Sequence, residues 1–404
     1  NAGSGIDVAV MDDFIYGEPQ AVQVSDPKTY VATLTGAQEV PPRTTDGRGT
    51  CVVILAPDET TGKAGIIFSR LSTPSNGAHI HGPADPGVNA PIIFPFTVPA
   101  ATSGSASNLT ITPTAQQLLE LKTGKDYANV HSTQFPGGEI RGQILFNPID
   151  EASIFVRQHY LDFLNRAPDA GGLGYWTNEI TKCGADAGCI SSRRIGVSAA
   201  FFIEQEFQQT GFFVYRLRRA ALGTQPSYAQ YLVDRSQLAS SSEPDKTAYA
   251  LAFVQRGEFV AKYPTTQTGS EFIDALIATV KANSGVDLAV RRPDLANEYI
   301  QSNTLVESRT RVLRKLVEYP EFVQAETNPA FVLAEYFGYL RRDPDPGGYA
   351  FWLNVLNNKE PNNFRGMVCS FITSQEYQER FGSTATRANI ECADASTTAT
   401  QDDQ

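Results

Sequence analysis

Three of the four histidines in this 404-residue chain occur in two short segments. His79 and His81 lie one residue apart in GAHIHGPADPG, and His131 lies in YANVHS. On a β-strand, side chains at positions i and i+2 share a face, so the first two imidazoles point the same way. A third imidazole from a neighbouring strand would complete a three-nitrogen site suited to copper or zinc. Asp85 is a nearby carboxylate that could contribute a weaker ligand.

The same histidines have a structural alternative. Polar groups near sheet edges are usually hydrogen-bonded, and these imidazoles could instead bind backbone groups and fix the Gly-Pro turn that follows His81. The sequence leaves the metal site and the structural role open.

The segment GEIRGQ has a comparable ambiguity. Glu139 and Arg141 share a strand face, and Glu39 of QEVPP would reach Arg141 if the two strands pair. We interpret this group as a polar contact that locks the domain, because no nucleophile stands beside a recognisable base. The sequence contains no GxSxG and no Gly-rich phosphate loop before a helix. We therefore assign no catalytic residue and predict that the protein is not an enzyme.

Composition narrows the possible partners and the compartment. The net charge is −11, and no basic run is longer than RLRR at 216–219, so nucleic acid would be repelled over most of the surface. The sequence has no run of 18 apolar residues, and hence no expected transmembrane segment. Because Asn1 is not a methionine and Lys and Met are scarce, we expect a secreted, extracellular or cell-surface protein whose signal peptide has been removed.

The five cysteines favour the same compartment. Cys183 and Cys189 bracket GADAG, a small loop that a disulfide would close. Cys369 and Cys392 bracket the last predicted helix and the tail, and a disulfide there would hold the tail. Cys51 remains as a buried thiol on a strand. The alternative is five free thiols in a reducing cytosol.

The apolar pattern changes from short β-like runs to helical periodicity near residue 149, which predicts a multidomain protein, all-β followed by all-α. The predicted segments are an extended segment that could donate a strand to a neighbour (1–28), a β-domain (29–148), helical units one and two (149–267), helical units three and four (268–384) and a polar tail (385–404).

The helical half contains an internal repeat. FVRQHYLDFLNRAPDAGGLGYW at 155–176 aligns without a gap with FVLAEYFGYLRRDPDPGGYAFW at 331–352, and two weaker copies lie between them. The Pro-Asp pairs of these copies end one helix and begin a turn. Trp176 and Trp352 should anchor the next helix in the core.

Four phrases of the β-region, LTGAQEVPP, AHIHGPADPG, YANVHS and PGGEIRGQI, resemble the CHRD domain first named from chordin. This resemblance implies a Greek-key β-sandwich related to copper-zinc superoxide dismutase, in secreted bacterial proteins that usually have no assigned activity. The His-Ile-His spacing is similar to the copper-ligand strand of those dismutases. However, this region has three histidines and lacks the additional ligands that dismutases use, so dismutase activity is not expected.

The repeat FVxxxYxxxLxRxPDxGGxxxW followed by SxEY resembles a domain of unknown function in secreted bacterial proteins, which is distantly similar to the phycobilisome linker domain. That resemblance implies scaffolding. Our leading hypothesis is a secreted bacterial structural or surface protein that self-assembles into a filament or layer, or contacts the cell envelope or a matrix. The alternatives are a copper- or zinc-binding envelope protein and an adhesion module.

Overall fold

The computed structural model describes residues 28–203, 205–381 and 392. The predicted strand donor at 1–28 and the predicted polar tail at 385–404 lie outside the described residues, except for Lys28 and Cys392.

The chain divides into two compact units. The first comprises residues up to 158 together with 168–199 and the residues from 365 onward, and the second comprises 159–167 and 200–364. The sheet is thus grouped with helical segments from both ends of the helical half. The domain limits expected from the sequence remain predictions.

One antiparallel sheet forms a nearly closed barrel in the first unit. Its order is β5-β4-β7-β8-β1-β2-β3-β6, with β9 beside β1, which confirms the predicted β-domain. The strands described are β1 (Thr29–Thr35), β2 (Arg48–Leu55), β3 (Gly62–Ser69), β4 (Ser75–His81), β5 (Ile92–Phe96), β6 (Gly104–Ile111), β7 (Tyr127–Ser132), β8 (Ile140–Gln143) and β9 (Leu145–Phe146).

Strand alternation separates the barrel core from the outer face of the sheet. Ala78 and Ile80 of β4, with Ala128 and Val130 of β7, point into the apolar core. The residues between them, including the histidines, therefore point to the opposite face. Cys51 lies in the same core as a free thiol, and burial raises its pKa.

One helix, α1, lies between β6 and β7, and the other described α-helices follow the sheet, as the change in periodicity predicts. The α-helices described are α1 (Ala115–Lys122), α2 (Ala152–His159), α3 (Ala170–Thr181), α4 (Ala187–Ile203), α5 (Gln205–Gln209), α6 (Gly211–Leu222), α7 (Tyr228–Gln237), α8 (Glu243–Phe253), α9 (Gly257–Lys262), α10 (Gly269–Ser284), α11 (Arg292–Tyr299), α12 (Leu305–Leu316), α13 (Pro320–Glu335), α14 (Pro346–Asn354), α15 (Phe364–Ile372) and α16 (Gln375–Glu379). No described helix is both long and apolar enough to cross a membrane.

Within the first unit, α4 packs on the outer face of the sheet. Ala187 contacts Val31 of β1 and Val52 of β2 in a small apolar cluster. The loop before α4 is closed by the Cys183–Cys189 disulfide. The second predicted disulfide, Cys369–Cys392, is also formed.

In the second unit, two copies of the repeat meet through equivalent residues. Residues Tyr160–Leu164 and Tyr336–Leu340 form matching π-helical turns. Asn165 and Arg341, at the ends of these turns, both adopt a left-handed backbone conformation. Phe163 of the first copy contacts its own counterpart, Tyr339, with 5.0 Å between ring centroids. The sequence repeat is therefore a structural repeat at these two copies.

The two tryptophans do not occupy the position expected for them. Trp176 and Trp352 are only partly buried, and each lies edge-on to the exposed ring before it, Tyr175 or Phe351. The apolar side chains of α14 project from all sides of the helix instead of forming one stripe. They therefore cannot all face a core. None of the residues of α14 is buried.

Candidate metal centre

The pairing of β4 with β7 brings the three predicted histidines together. In the register of these strands, His79 lies opposite Asn129, His81 opposite Tyr127, and His131 opposite Gly77. All of these positions share the outer face, because both strands alternate in phase. Gly77 leaves space beside His79, since a Cβ atom there would lie 3.1 Å from the imidazole Cε1.

The three imidazoles form one compact cluster. Ring centroids are 4.9 Å apart for His79 and His131, and 5.5 Å apart for His79 and His81. One potential ligand nitrogen from each ring lies within 4.8 Å of the other two. Among the described residues, these three histidines form the group of His, Cys, Asp or Glu side chains that could hold one metal ion.

Backbone carbonyls determine which nitrogen of two rings carries the proton. Nδ1 of His81 lies 2.9 Å from the Ala90 carbonyl oxygen, and Nδ1 of His131 lies 2.9 Å from that of Pro136. A carbonyl oxygen only accepts hydrogen bonds, so both Nδ1 atoms must donate and both Nε2 atoms carry a lone pair in the neutral rings. Carbonyl groups orient metal-binding histidines in this way.

Two buried imidazole nitrogens in the cluster have no hydrogen-bond partner. They are Nδ1 of His79 and Nε2 of His131. Buried polar atoms without a partner are rare in folded proteins, and each calls for a specific cause. Unpaired nitrogens from neighbouring rings are the atoms that a bound cation would use.

The surroundings keep the three rings neutral. Burial, together with the smaller effects of the neighbouring His131 and His81, lowers the pKa of His79 to about 4. Burial also lowers the pKa of His81 below its ordinary value, although hydrogen bonds at Ala90 and Asn129 oppose this. For His131, burial lowers the pKa and the hydrogen bond at Pro136 opposes it. Neutral imidazole is the form that binds metal ions.

The Tyr127 ring lies between the His81 imidazole and the Arg141 guanidinium. The His81 ring stacks parallel on Tyr127, and the Arg141 guanidinium lies 3.5 Å from the centroid of the tyrosine ring on β7. Arg141 also donates to the Val88 carbonyl over 2.7 Å, which fixes the loop that carries Ala90. Arg141 therefore acts on the cluster through the loop that orients His81.

The other predicted polar residues take separate positions. Glu139 accepts hydrogen bonds from the backbone and the hydroxyl of Ser72, over 2.7 and 2.8 Å. Burial alone would raise its pKa, but hydrogen bonds from Ser132, Thr45 and Ser72 outweigh burial and lower it. Glu139 thus links loops of the barrel.

Glu39 lies buried near Asn129 and Arg141 without a direct hydrogen bond to the arginine among the described contacts. Burial raises its pKa, and the hydrogen bond from Val40 and the charge of Arg141 partly oppose this. Asp85 forms an exposed ion pair with Lys125 and is not part of the histidine cluster.

Two further residues of the centre, Asn129 and Tyr127, are not among those predicted from the sequence. Both precede His131 on β7 at even spacing, so strand alternation places them on the same face. The same period-two alternation that identifies His131 therefore also indicates these two residues.

Comparisons with known families agree with the fold. The family model of the CHRD domain matches residues 30–144. This part of the chain is a CHRD domain. A second family model, a domain of unknown function (DUF4214), matches residues 313–381 and includes the last copy of the repeat. Neither family is known as an enzyme family. Neither the search of curated proteins nor the search of solved structures found a match to the chain.

Proposed function

We propose that the CHRD domain of this chain binds one copper(II) or zinc(II) ion through His79, His81 and His131. The ligand atoms are Nδ1 of His79 and the Nε2 atoms of His81 and His131. Imidazole is a suitable ligand for both ions, and three imidazoles leave one position for a further ligand.

One observation carries this proposal: two buried nitrogens of the cluster have no partner, although each belongs to a neutral ring. The structural alternative explains the Nδ1 atoms that donate to Ala90 and Pro136. It does not explain why His79 Nδ1 and His131 Nε2 lie buried and unpaired. A bound ion explains both sets of atoms, because the carbonyls would then orient ligands.

The affinity order of divalent metals favours copper(II) over zinc(II) at a site of nitrogen donors. His81 is buried, while His79 and His131 are partly exposed. An ion there would be close to solvent and able to exchange. These features suit capture or storage of a metal better than a closed structural site.

We place the protein outside the cytosol. Two disulfides are formed in the first unit, and disulfides persist in oxidising compartments. The hypotheses of self-assembly, matrix contact and adhesion remain predictions. The assembly hypothesis depends on residues 1–28, of which 1–27 lie outside the described residues.

The proposal is tested by titrating the chelator-treated full chain with copper(II) and zinc(II) and measuring heat and bound metal. We expect about one ion per chain, with affinity reduced at least about 10-fold in His79→Ala. Asp85→Asn is the matched control, because Asp85 lies in the same segment but outside the cluster. A natively folded wild-type chain that binds neither ion would show that the histidines have a structural role alone.

A further inference from the structure

An exposed aromatic ring occurs at the same position of the first and last copies of the helical repeat. Tyr175 on α3, in the first unit, is 60% exposed, and its counterpart Phe351 on α14, in the second unit, is 51% exposed. The tryptophan that follows lies edge-on to each ring, with centroids 4.9 Å apart in the first copy and 5.1 Å apart in the last. The interplanar angles, 76° and 78°, also agree. Both copies therefore hold an outward-facing ring in one geometry, although an exposed ring gains little from burial.

Glycines leave the surface beside each ring open. A helical side chain leans towards the residues three and four positions before it, which here are the Gly-Gly pairs 171–172 and 347–348. Among the described residues, a Cβ atom at Gly171 or Gly347 would meet only the aspartate that caps its helix, 3.3 Å away. Neither of these two glycines has a positive φ, and alanine stabilises helices better than glycine. An uncovered ring accounts for glycine at this position in both copies.

An exposed amide lies one helical turn after each ring. Asn178 and Asn354 follow Tyr175 and Phe351 by three positions, and positions i and i+3 share a helix face. Both asparagines are exposed. The Asn354 oxygen accepts one hydrogen bond from Asn358 over 2.8 Å, which leaves its own N–H groups to donate. Each copy thus presents an apolar ring beside a neutral group that can form hydrogen bonds.

The features that the two copies share carry no charge. Glu179, one turn beyond the first ring, is paired with Lys182 at 2.7 Å and with Arg193 at 3.3 Å. The Lys359 ammonium lies 5.4 Å from the centroid of the Phe351 ring, a contact without a counterpart at the first ring among the described residues. Complementarity of charge therefore favours an uncharged ligand.

The exposed area is too small for a stable contact with another protein. An aromatic side chain has an area of about 150–250 Å², so each half-exposed ring offers about 100 Å². A stable protein interface buries about 800 Å² on each partner. A pyranose ring is similar in size to an aromatic ring and has C–H groups on its faces and hydroxyls at its edge. Its face would stack on the aromatic ring, and its hydroxyls would bind the amide.

We propose that Tyr175 and Phe351 are two equivalent platforms on which the sugar rings of a neutral polysaccharide stack, with Asn178 and Asn354 binding the hydroxyl groups. This inference is independent of the metal centre, because none of these residues belongs to the CHRD domain. It gives the adhesion hypothesis a ligand class. A polymer repeats the same ring many times, so platforms that each bind one sugar weakly still hold the protein on it.

The test measures co-sedimentation of the full chain with microcrystalline cellulose and with chitin, two polymers of neutral pyranose rings. We expect the wild type to bind at least one of them. Tyr175→Ala and Phe351→Ala should each reduce binding, and the double variant should reduce it about 10-fold or more. Tyr175→Phe combined with Phe351→Tyr keeps both rings and should bind within about 2-fold of wild type. Ile300→Ala is the matched control for an exposed apolar side chain, because Ile300 is 72% exposed and not aromatic.

A second variant separates loss of a ring from loss of access to it. Gly171→Leu combined with Gly347→Leu keeps both rings but places a side chain beside each, and we expect the same loss of binding. Circular dichroism checks that each variant is folded.

Wild-type protein that binds neither polymer would overturn the proposal, as would unchanged binding in the Tyr175→Ala and Phe351→Ala double variant. Sedimentation velocity provides a third outcome. Self-association of the wild type that the double variant loses, without polysaccharide binding, would assign the rings to a second copy of the chain and overturn the proposal. Zinc(II) affinity should be unchanged in all these variants, so failure of the metal site and failure of the platforms are distinguishable.

Discussion

The imidazole of His81 lies parallel on the phenol ring of Tyr127, with 4.8 Å between the ring centroids and 1° between the ring planes. Tyr127 also contacts the loop that carries Ala90, because the Ala90 backbone N–H donates a hydrogen bond to the Tyr127 hydroxyl over 3.2 Å. One side chain therefore supports the His81 ring and the carbonyl that orients it. A ligand held in this way loses little freedom when a metal binds.

We expect Tyr127→Leu to weaken zinc(II) binding about 10-fold, because the ring of His81 would lose its support while all ligands remain. Titration of the chelator-treated chain measures this. Tyr127→Phe is the matched control, since it keeps the stacked ring and removes only the hydroxyl. Equal affinities in Tyr127→Leu and the wild type would mean that the stack does not position the ligand.

The lowered pKa values of the three histidines predict how the metal-free protein responds to acid. The unfolded chain takes up protons on histidine near pH 6.5, whereas folded His79 does so only near pH 4. Between these values the unfolded state binds more protons, so stability decreases as pH falls from about 6.5 towards 4. Allowing for screening of a partly exposed ring, we expect His79 to account for about 1 kcal/mol between pH 7 and pH 5.

Urea unfolding of the metal-free chain at pH 7 and pH 5 measures this decrease. His79→Gln should show a smaller loss between the two pH values, because glutamine does not titrate. Metal binding should also persist below the pH range of ordinary histidine sites, since protons compete weakly for these rings. A pH dependence that is identical in His79→Gln and wild type would contradict the proposed shift.

Strand periodicity predicted much of the centre. The HIH spacing placed two imidazoles on one face, and the structure brings His131 beside them from the adjacent strand. The carbonyls of Ala90 and Pro136 could not be predicted, because irregular loops position them and no side-chain pattern encodes their direction. The partners of Glu139 were missed for the same reason, since Ser72 lies on a loop distant in sequence.

Glu335 is buried on α13, and neither of its carboxyl oxygens has a hydrogen-bond partner. Burial raises its pKa well above the ordinary value, so the folded state holds the carboxyl protonated. The unfolded chain releases that proton above its ordinary pKa, and stability therefore decreases as pH rises through and beyond that value. We expect Glu335→Gln to raise the stability by about 1–2 kcal/mol at pH 7.5 and much less at pH 4.5, measured by urea unfolding.

Glu326 on the same helix is the matched control. It is also buried, but it accepts a hydrogen bond from the Tyr215 hydroxyl over 2.6 Å and pairs with Arg219 at 3.2 Å. Glu326→Gln should therefore destabilise the protein at pH 7.5, opposite in sign to Glu335→Gln. Destabilisation of similar size in both variants would show that Glu335 has a partner that stabilises its charge.

Gly65 on β3 permits the disulfide-closed loop to lie against the sheet within the first unit. A Cβ atom at this position would be 1.6 Å from the Ala185 carbonyl oxygen, a backbone atom that cannot rotate away. The same loop is tied to the barrel by the Ala185 N–H, which donates to the Asn108 side chain over 2.9 Å. We expect Gly65→Ala to destabilise the protein by about 1–3 kcal/mol in urea unfolding, because the loop must move and this contact must lengthen.

Gly137→Ala, where a Cβ atom would meet nothing within 4 Å, should change stability by less than about 0.5 kcal/mol. Equal effects of the two substitutions would mean that the loop does not pack on β3 in solution.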